Sequence, residues 1–168
     1  HARVTHNTPF RAGKGYLYEG GLRIPLIVRW PTHVPSNRIV NDPVINTDWI
    51  VTLLDLAGIS AHVSESSRSF ASILTGKGGP PTEVRSFFWH FPHYNNQGGR
   101  PAGAVRHGNW KLVEYYDSPE QIELYELDPD LGEQNNVASK FPDRVRELRS
   151  KLNQWRQSID AQIALPNP

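Results

Sequence analysis

The spacing of apolar positions changes character near residue 80 of this 168-residue chain. Residues 1–22 are rich in glycine and polar groups, which predicts a loop whose backbone approaches other groups closely. Residues 23–30, RIPLIVRW, form a β-branched and aromatic run closed by Pro31. Leu26, Ile27 and Val28 make it apolar on both faces, the pattern of a strand covered above and below. TDWIVTLLDLAG predicts a helix with Thr47 as N-cap and Gly58 as the C′ stop, its apolar face formed by Trp49, Ile50, Leu53, Leu54 and Ala57. FASILTG predicts a helical turn, and GKGGPP breaks the pattern as a linker does.

Beyond the break, VRSFFWHF, GAVRHG, NWKLVEYY and QIELYEL are strand-length runs of aromatic and β-branched residues, with HGN as a tight connection between the second and third. PDRVRELRSKLNQWRQSID then spaces Val145, Leu148, Leu152, Trp155 and Ile159 by threes and fours, with Pro142 and Asp143 in the first turn of an amphipathic helix. The chain thus reads as α/β, with residues 1–80 as a strand-and-helix part and residues 81–168 as a small antiparallel sheet with a terminal helix. An isolated strand buried on both faces has too few partners within residues 1–80, so it is expected to join a larger sheet built by other sequence.

Composition narrows the chemistry. Eighteen lysines and arginines stand against 17 aspartates and glutamates, so no global field favours nucleic acid or a membrane surface. The absence of cysteine excludes disulfides, thiolate metal sites and a cysteine nucleophile within these residues. No apolar run approaches the roughly 20 residues of a membrane-spanning helix. With no methionine and the opening HARVTHNTPF, the sequence reads as a piece of a longer polypeptide, whose targeting signal would lie upstream.

The stretch NTPFRAGKGYLYEGGLRIPLIVRWP, residues 7–31, resembles a segment of the arylsulfatase family of the alkaline phosphatase superfamily, N-x-P-L-R-x-G-K-G-x-x-Y-E-G-G-x-R-x-P-x-I-x-x-W-P. TDWIVTLLDLAGI, GNWKLVEYY and LYELDPDLGEQNNVA are similar to further segments of that family, in order, over almost the whole chain. The resemblance implies the C-terminal portion of a sulfatase. Residues 1–80 would be the C-terminal part of a catalytic α/β domain with a large mixed sheet. Residues 81–168 would be a small C-terminal α+β subdomain with a four-stranded antiparallel sheet. It further implies calcium and a formylglycine nucleophile in the full-length protein, made from a C/S-x-P-S-R motif that this chain lacks. Neither is expected to be held by this chain, which alone would be catalytically incomplete. The implied partners are a sulfated small molecule or glycan and the missing N-terminal catalytic portion, with no nucleic acid and no membrane span. The family's bacterial members are commonly periplasmic or secreted.

Lys14, between Gly13 and Gly15, is the candidate catalytic residue. A sulfate ester carries negative charge on its nonbridging oxygens, and a compact ammonium close by stabilises further charge as the S–O bond breaks. Flanking glycines admit the backbone and keep bulky side chains away. Read without the family, G-K-G is an exposed turn with a solvated lysine. Glu19 and Arg23 are expected to be structural, ion-pairing and hydrogen-bonding the glycine-rich loop so that Lys14 is held in place. His90 and His93, within SFFWHFPHY, are candidate substrate contacts beside Trp89 and Tyr94. The alternative is that Phe87, Trp89 and Phe91 alternate into the core while His90 satisfies a backbone carbonyl. LDPDLGE lacks the spacing of a calcium loop and is expected to be a turn with solvated acids. The basic terminal helix, following an acidic strand region, is expected to serve internal charge pairing. Two other functions stay open: a noncatalytic docking module, and a phosphate or phosphonate ester hydrolase of the same superfamily.

Overall fold

A computed structural model describes residues 6–60, 66–78 and 83–163. Part of the expected GKGGPP break, residues 79–81, lies outside them. The chain divides into two compact units, one of residues 1–24 with 84–168 and one of residues 25–83. These units do not coincide with a single division at residue 80: the glycine-rich N-terminal segment keeps company with the C-terminal sheet.

In the first unit, β1 (Ser86–Phe91), β2 (Ala102–His107), β3 (Trp110–Tyr115) and β4 (Ile122–Glu126) form one antiparallel sheet in the order β1-β2-β3-β4. All four strands arise from the runs expected. The β2–β3 connection pairs His107 with Trp110, and Gly108 takes the positive φ of +60° that such a two-residue turn demands. Strand alternation gives the sheet two distinct faces. On one lie Phe88, Val105, Trp110, Leu112, Ile122 and Leu124, covered by the helix Pro142–Ser158 through Val145, Leu148, Leu152 and Trp155. Leu148 and Leu152 are fully buried, and Trp155 stacks on Phe88 with ring centroids 5.1 Å apart. Ile159, expected on the same stripe, falls just past the helix end and is half exposed. Charge pairing follows the expectation: Glu114 of β3 receives Arg149 at 3.1 Å and Arg156 at 2.6 Å.

The opposite face is covered by the N-terminal segment. Tyr16, Leu17 and Tyr18 lie against a surface of Ala102, Ala104, Val113, Tyr115, Tyr125 and Leu127. The Tyr18 phenol donates to Glu123 Oε2 at 2.7 Å and shares a 2.7 Å hydrogen bond with Tyr115. Burial pushes the Tyr18 hydroxyl far above the usual phenol range, so it stays protonated as a donor.

His107 closes the helix-covered face at the end of β2, with Nδ1 2.9 Å from Ser86 Oγ. Burial, and then Lys151, hold its pKa below the ordinary value; Glu147 opposes them and Arg144 adds the smallest contribution. The unfolded chain therefore takes up this proton first as pH falls, and stability declines from about pH 6.5 downward until the native histidine is also protonated. Urea denaturation of His107→Gln across pH 7 to 5 is expected to give a flatter dependence than the parent.

In the second unit the helix Asp48–Leu56 ends in a Schellman arrangement at Gly58, φ +72°, with the Ile59 N–H on the Leu54 carbonyl at 2.9 Å. Ala71–Thr75 is the expected helical turn. Two expectations are corrected here. Thr47 makes no side-chain cap; the neighbouring Asp48 carboxylate takes the backbone N–H groups of Ile45 and Arg68, each at 3.0 Å. The buried side of the helix is that of Asp48 and Thr52, whose hydroxyl accepts the Phe70 N–H at 3.1 Å, while Ile50 and Leu53 are each 57 % exposed. A polar pair that satisfies backbone donors has taken the inner side; Trp49 and Leu54 are half-buried, Trp49 edge-on to Phe70, while Ile50, Leu53 and Ala57 face outward.

The strand expected at 23–30 is without the larger sheet it was expected to join. Residues 23–30 carry no strand, and Ile24 and Ile27 are 81 % and 92 % exposed. The physical reason is pairing. An extended segment becomes a strand only against a neighbour that takes its N–H and C=O groups, and the one sheet among the described residues draws all four strands from 86–126.

Candidate functional site

The Tyr16 N–H meets the Gly13 carbonyl at 3.1 Å and closes a four-residue turn over Gly13, Lys14, Gly15 and Tyr16. Gly15, third in the turn, has φ +93°, the value a type II turn requires there and one that favours glycine. Lys14 stands second, at the apex. Its side chain is exposed and, among the described residues, enters no hydrogen bond or ion pair. The turn has a firm base: Asn7 Nδ2 donates to the Gly20 carbonyl at 2.6 Å, and the Gly20 N–H donates to the Arg11 carbonyl at 3.0 Å.

Behind the turn lies a buried ionic cluster. Glu19 begins the one-turn helix Glu19–Leu22, which points its carboxylate at the sheet. Lys111 of β3, fully buried, places Nζ 3.0 Å from Glu19 Oε1 and 2.8 Å from Glu133 Oε1. Glu133 Oε2 accepts the Glu19 backbone N–H at 2.6 Å. Arg23 and Arg106 each stand 3.5 Å from Glu19 Oε2. The Glu19–Arg23 ion pair is the rim of a larger network. Glu133 is held in backbone as well, with φ +49° and its carbonyl accepting from Arg11 at 2.8 Å. Burial pushes its carboxyl pKa up, and Lys111 opposes that shift. The Arg11 guanidinium also donates to the Tyr125 phenol at 2.7 Å and lies 3.8 Å above the Tyr18 ring.

Within LDPDLGE, expected to be a turn with solvated acids, Asp128 is exposed, and the expectation is corrected for Glu133. Glu114, Glu123 and Glu133 are all buried and paired. The reading by residues did not single out Lys111 or Glu133, although both fall inside segments that carry the family resemblance, GNWKL and DLGE. A lysine alternating with Trp110 and Leu112 in a strand was the available signal, since it must point to the face opposite the helix.

The two histidines are placed apart. His90, on the helix-covered face of β1, has Nδ1 2.7 Å from the Tyr116 hydroxyl and Nε2 3.0 Å from the Gln162 carbonyl. Because a carbonyl only accepts, Nε2 carries the proton, and in the neutral ring Nδ1 accepts from Tyr116. Both ring nitrogens are thus committed, on the sheet face opposite the Lys14 segment. His93 is exposed beyond the end of β1, with its ring edge-on to Phe91 at 6.0 Å. Its loop reaches the Lys14 turn through Asn95, whose Nδ2 donates to the Gly15 carbonyl at 2.8 Å. The structure brings Lys14 and the His93 loop together and leaves His90 outside. Among the described residues no group of three or more acidic, histidine or cysteine side chains is arranged to hold a metal ion.

Residues 12–158 match the family model described as N-sulphoglucosamine sulphohydrolase, C-terminal. The chain belongs to this sulfatase family. A sulfatase of Formosa agariphila is 34 % identical over 166 residues, covering 90 % of this chain and 30 % of the relative. An N-acetylglucosamine-6-O-sulfatase of Bacteroides thetaiotaomicron is 26 % identical over 145 residues, covering 84 % of this chain and 26 % of the relative. Among solved structures, Ps i-CgsB in complex with k-i-k-neocarrahexaose superposes with a TM-score of 0.69 at 26 % identity, over 89 % of this chain and 32 % of that one. The sulfatase segment described here thus spans about 30 % of the length of the curated relatives it matches. No helix among its described residues is long and apolar enough to cross a membrane.

Proposed function

We propose that this chain is the C-terminal portion of a sulfatase acting on a sulfated carbohydrate, and that Lys14 presents its ammonium to the sulfate group. The observation that carries the reading is the exposed lysine, without a side-chain partner among the described residues, at the apex of a turn that has a buried ionic cluster behind it. An ammonium already committed to a carboxylate would have to break that pair to meet an anion; this one need not. Held against a nonbridging sulfate oxygen, it offsets the charge that grows as the S–O bond breaks. The names of two relatives, an N-acetylglucosamine-6-O-sulfatase and an N-acetylgalactosamine-6-O-sulfatase, favour a sulfated sugar as the substrate class.

The sequence contains no C/S-x-P-S-R motif from which the family's formylglycine is made, and the described residues offer no cluster of three or more acidic or histidine side chains for its calcium. Both belong, in this proposal, to polypeptide outside these residues, and residues 1–168 alone do not turn over substrate. Residues 1–80 then complete a catalytic α/β domain in the longer protein, where the exposed apolar segment 23–30 pairs into the larger sheet. Residues 81–168 form its small C-terminal subdomain.

Lys14→Ala in the longer protein is expected to lower kcat/KM on a sulfated sugar by ~10²-fold. Its melting temperature should match the parent, because the side chain makes no contact that folding depends on. Unchanged turnover would sink the role of Lys14. Hydrolysis of phosphate esters in place of sulfate esters would sink the sulfatase reading itself, and sulfatase activity of residues 1–168 alone would sink the assignment of the nucleophile to polypeptide outside them.

A further inference from the structure

We propose that Asn95 is a positioning residue, which latches the loop carrying His93 onto the turn carrying Lys14 and so sets where the lysine ammonium is presented. The inference rests on the assignment of Lys14 to the sulfate group and names the residue through which the rest of the fold acts on it.

The carboxamide of Asn95 uses both ends. Its Oδ1 accepts the backbone N–H groups of Gln97 at 2.8 Å and Gly99 at 3.3 Å, and its Nδ2 donates to the Gly15 carbonyl at 2.8 Å. The amide orientation is forced, because the two N–H groups only donate and the carbonyl only accepts. The loop also closes on itself through main-chain bonds from Asn95 to the Gly99 carbonyl and from Gly98 to the Asn95 carbonyl, both 3.2 Å. One side chain thus folds its own loop with one end and holds the Lys14 turn with the other.

The steric fit is close on both sides. A Cβ at Gly15 would lie 2.7 Å from Asn95 Oδ1, and one at Gly99 would lie 1.8 Å from the Gly15 carbonyl oxygen. Gly98, with φ +96°, leaves room for the Tyr16 hydroxyl, which an added Cβ would approach to 2.3 Å. The loop is in turn fixed at both flanks. Tyr94 donates to Asp117 at 2.8 Å, and Arg100 reaches the same carboxylate at 2.7 and 3.1 Å while bonding Ser118 and Gln121, each at 2.9 Å. Lys14 itself has no side-chain partner among the described residues, so its position is inherited from the turn backbone. The Gly15 carbonyl, one residue on, is the point at which another loop grips that backbone.

A double-mutant cycle in the longer protein, on a sulfated sugar, separates this role from a general structural one. Asn95→Asp keeps an acceptor for Gln97 and Gly99 and turns an acceptor toward the Gly15 carbonyl, so it breaks the latch and spares the loop. It is expected to lower kcat/KM by about 10- to 100-fold when Lys14 is present, the scale on which a small misplacement acts, and to have no further effect in Lys14→Ala. Asn95→Ala, which removes the loop acceptor together with the latch donor, is read through the same cycle if the aspartate variant folds poorly. A purely structural residue would lower activity equally in both backgrounds; that additive result overturns the proposal, as does full activity of both Asn95 variants. A fully active Lys14→Ala enzyme would instead remove the sulfate assignment, and this inference with it.

Discussion

Lys111→Met is expected to lower the free energy of unfolding by about 3–5 kcal/mol, the cost of leaving buried charges without their partner. Lys111 has no exposed surface, and its ammonium stands between Glu19 Oε1 at 3.0 Å and Glu133 Oε1 at 2.8 Å. Glu133 Oε1 has no partner but the Lys111 ammonium among the described residues, so that ammonium is its compensation. Arg23 and Arg106 remain for Glu19, so the damage concentrates on Glu133. The pH dependence gives a second test. Burial already raises the Glu133 pKa above its ordinary value, and Lys111 opposes that shift. A carboxyl whose folded pKa is raised contributes less stability as pH rises through the window from its unfolded value to its folded one. Removing Lys111 widens that window, so the deficit of the variant should grow from about pH 4 toward neutrality. Chemical denaturation at pH 5 and pH 7 measures it. An equal deficit at both values would mean that lost packing, and not an uncompensated carboxylate, carries the cost.

The strands and the terminal helix were legible because each signal was local and the partner was present. The alternation of Phe88 with Trp89, or of Leu112 with Val113, divides the sheet into the two faces found. The three-four spacing from Val145 to Trp155 supplies the helix that covers one of them. What the other face would receive was not legible, since nothing within residues 10–24 announces that Tyr18 and Glu19 will meet Glu123, Lys111 and Glu133 from more than a hundred positions away or nearly so. The departures share one cause. RIPLIVRW has the composition of a buried strand, and composition cannot create a neighbour. The Trp49–Ala57 stripe has the spacing of a core face, yet Asp48 and Thr52 win the inner side by satisfying backbone groups. At the candidate site, the lysine and its two glycines were visible in sequence. Asn95 was not, because a single asparagine in NNQGG reads as an ordinary turn former until its carboxamide is seen on the Gly15 carbonyl.

Gly21→Ala is expected to cost about 3 kcal/mol, the upper end of what overpacking costs, and to lower the activity of the longer protein as well. The reason is a collision with backbone, which cannot rotate away as a side chain can. A Cβ at Gly21 would lie 2.1 Å from the Tyr16 carbonyl oxygen and 2.6 Å from that of Gly13. The Gly13 carbonyl is the acceptor that closes the Lys14 turn, so relief of the clash must come at the expense of that turn. Gly13 itself supplies the comparison. An added Cβ there meets only Asn7 Nδ2, at an ordinary 3.5 Å, and Gly13→Ala should be tolerated in stability. Four glycines that look equivalent in GKGYLYEGG thus separate by mechanism: Gly15 by a positive φ, Gly20 and Gly21 by carbonyls within 2.6 Å, and Gly13 by neither. Thermal denaturation of the two alanine variants side by side decides it. Equal losses at Gly13 and Gly21 would show that the turn is held by something other than this contact of helix and carbonyl.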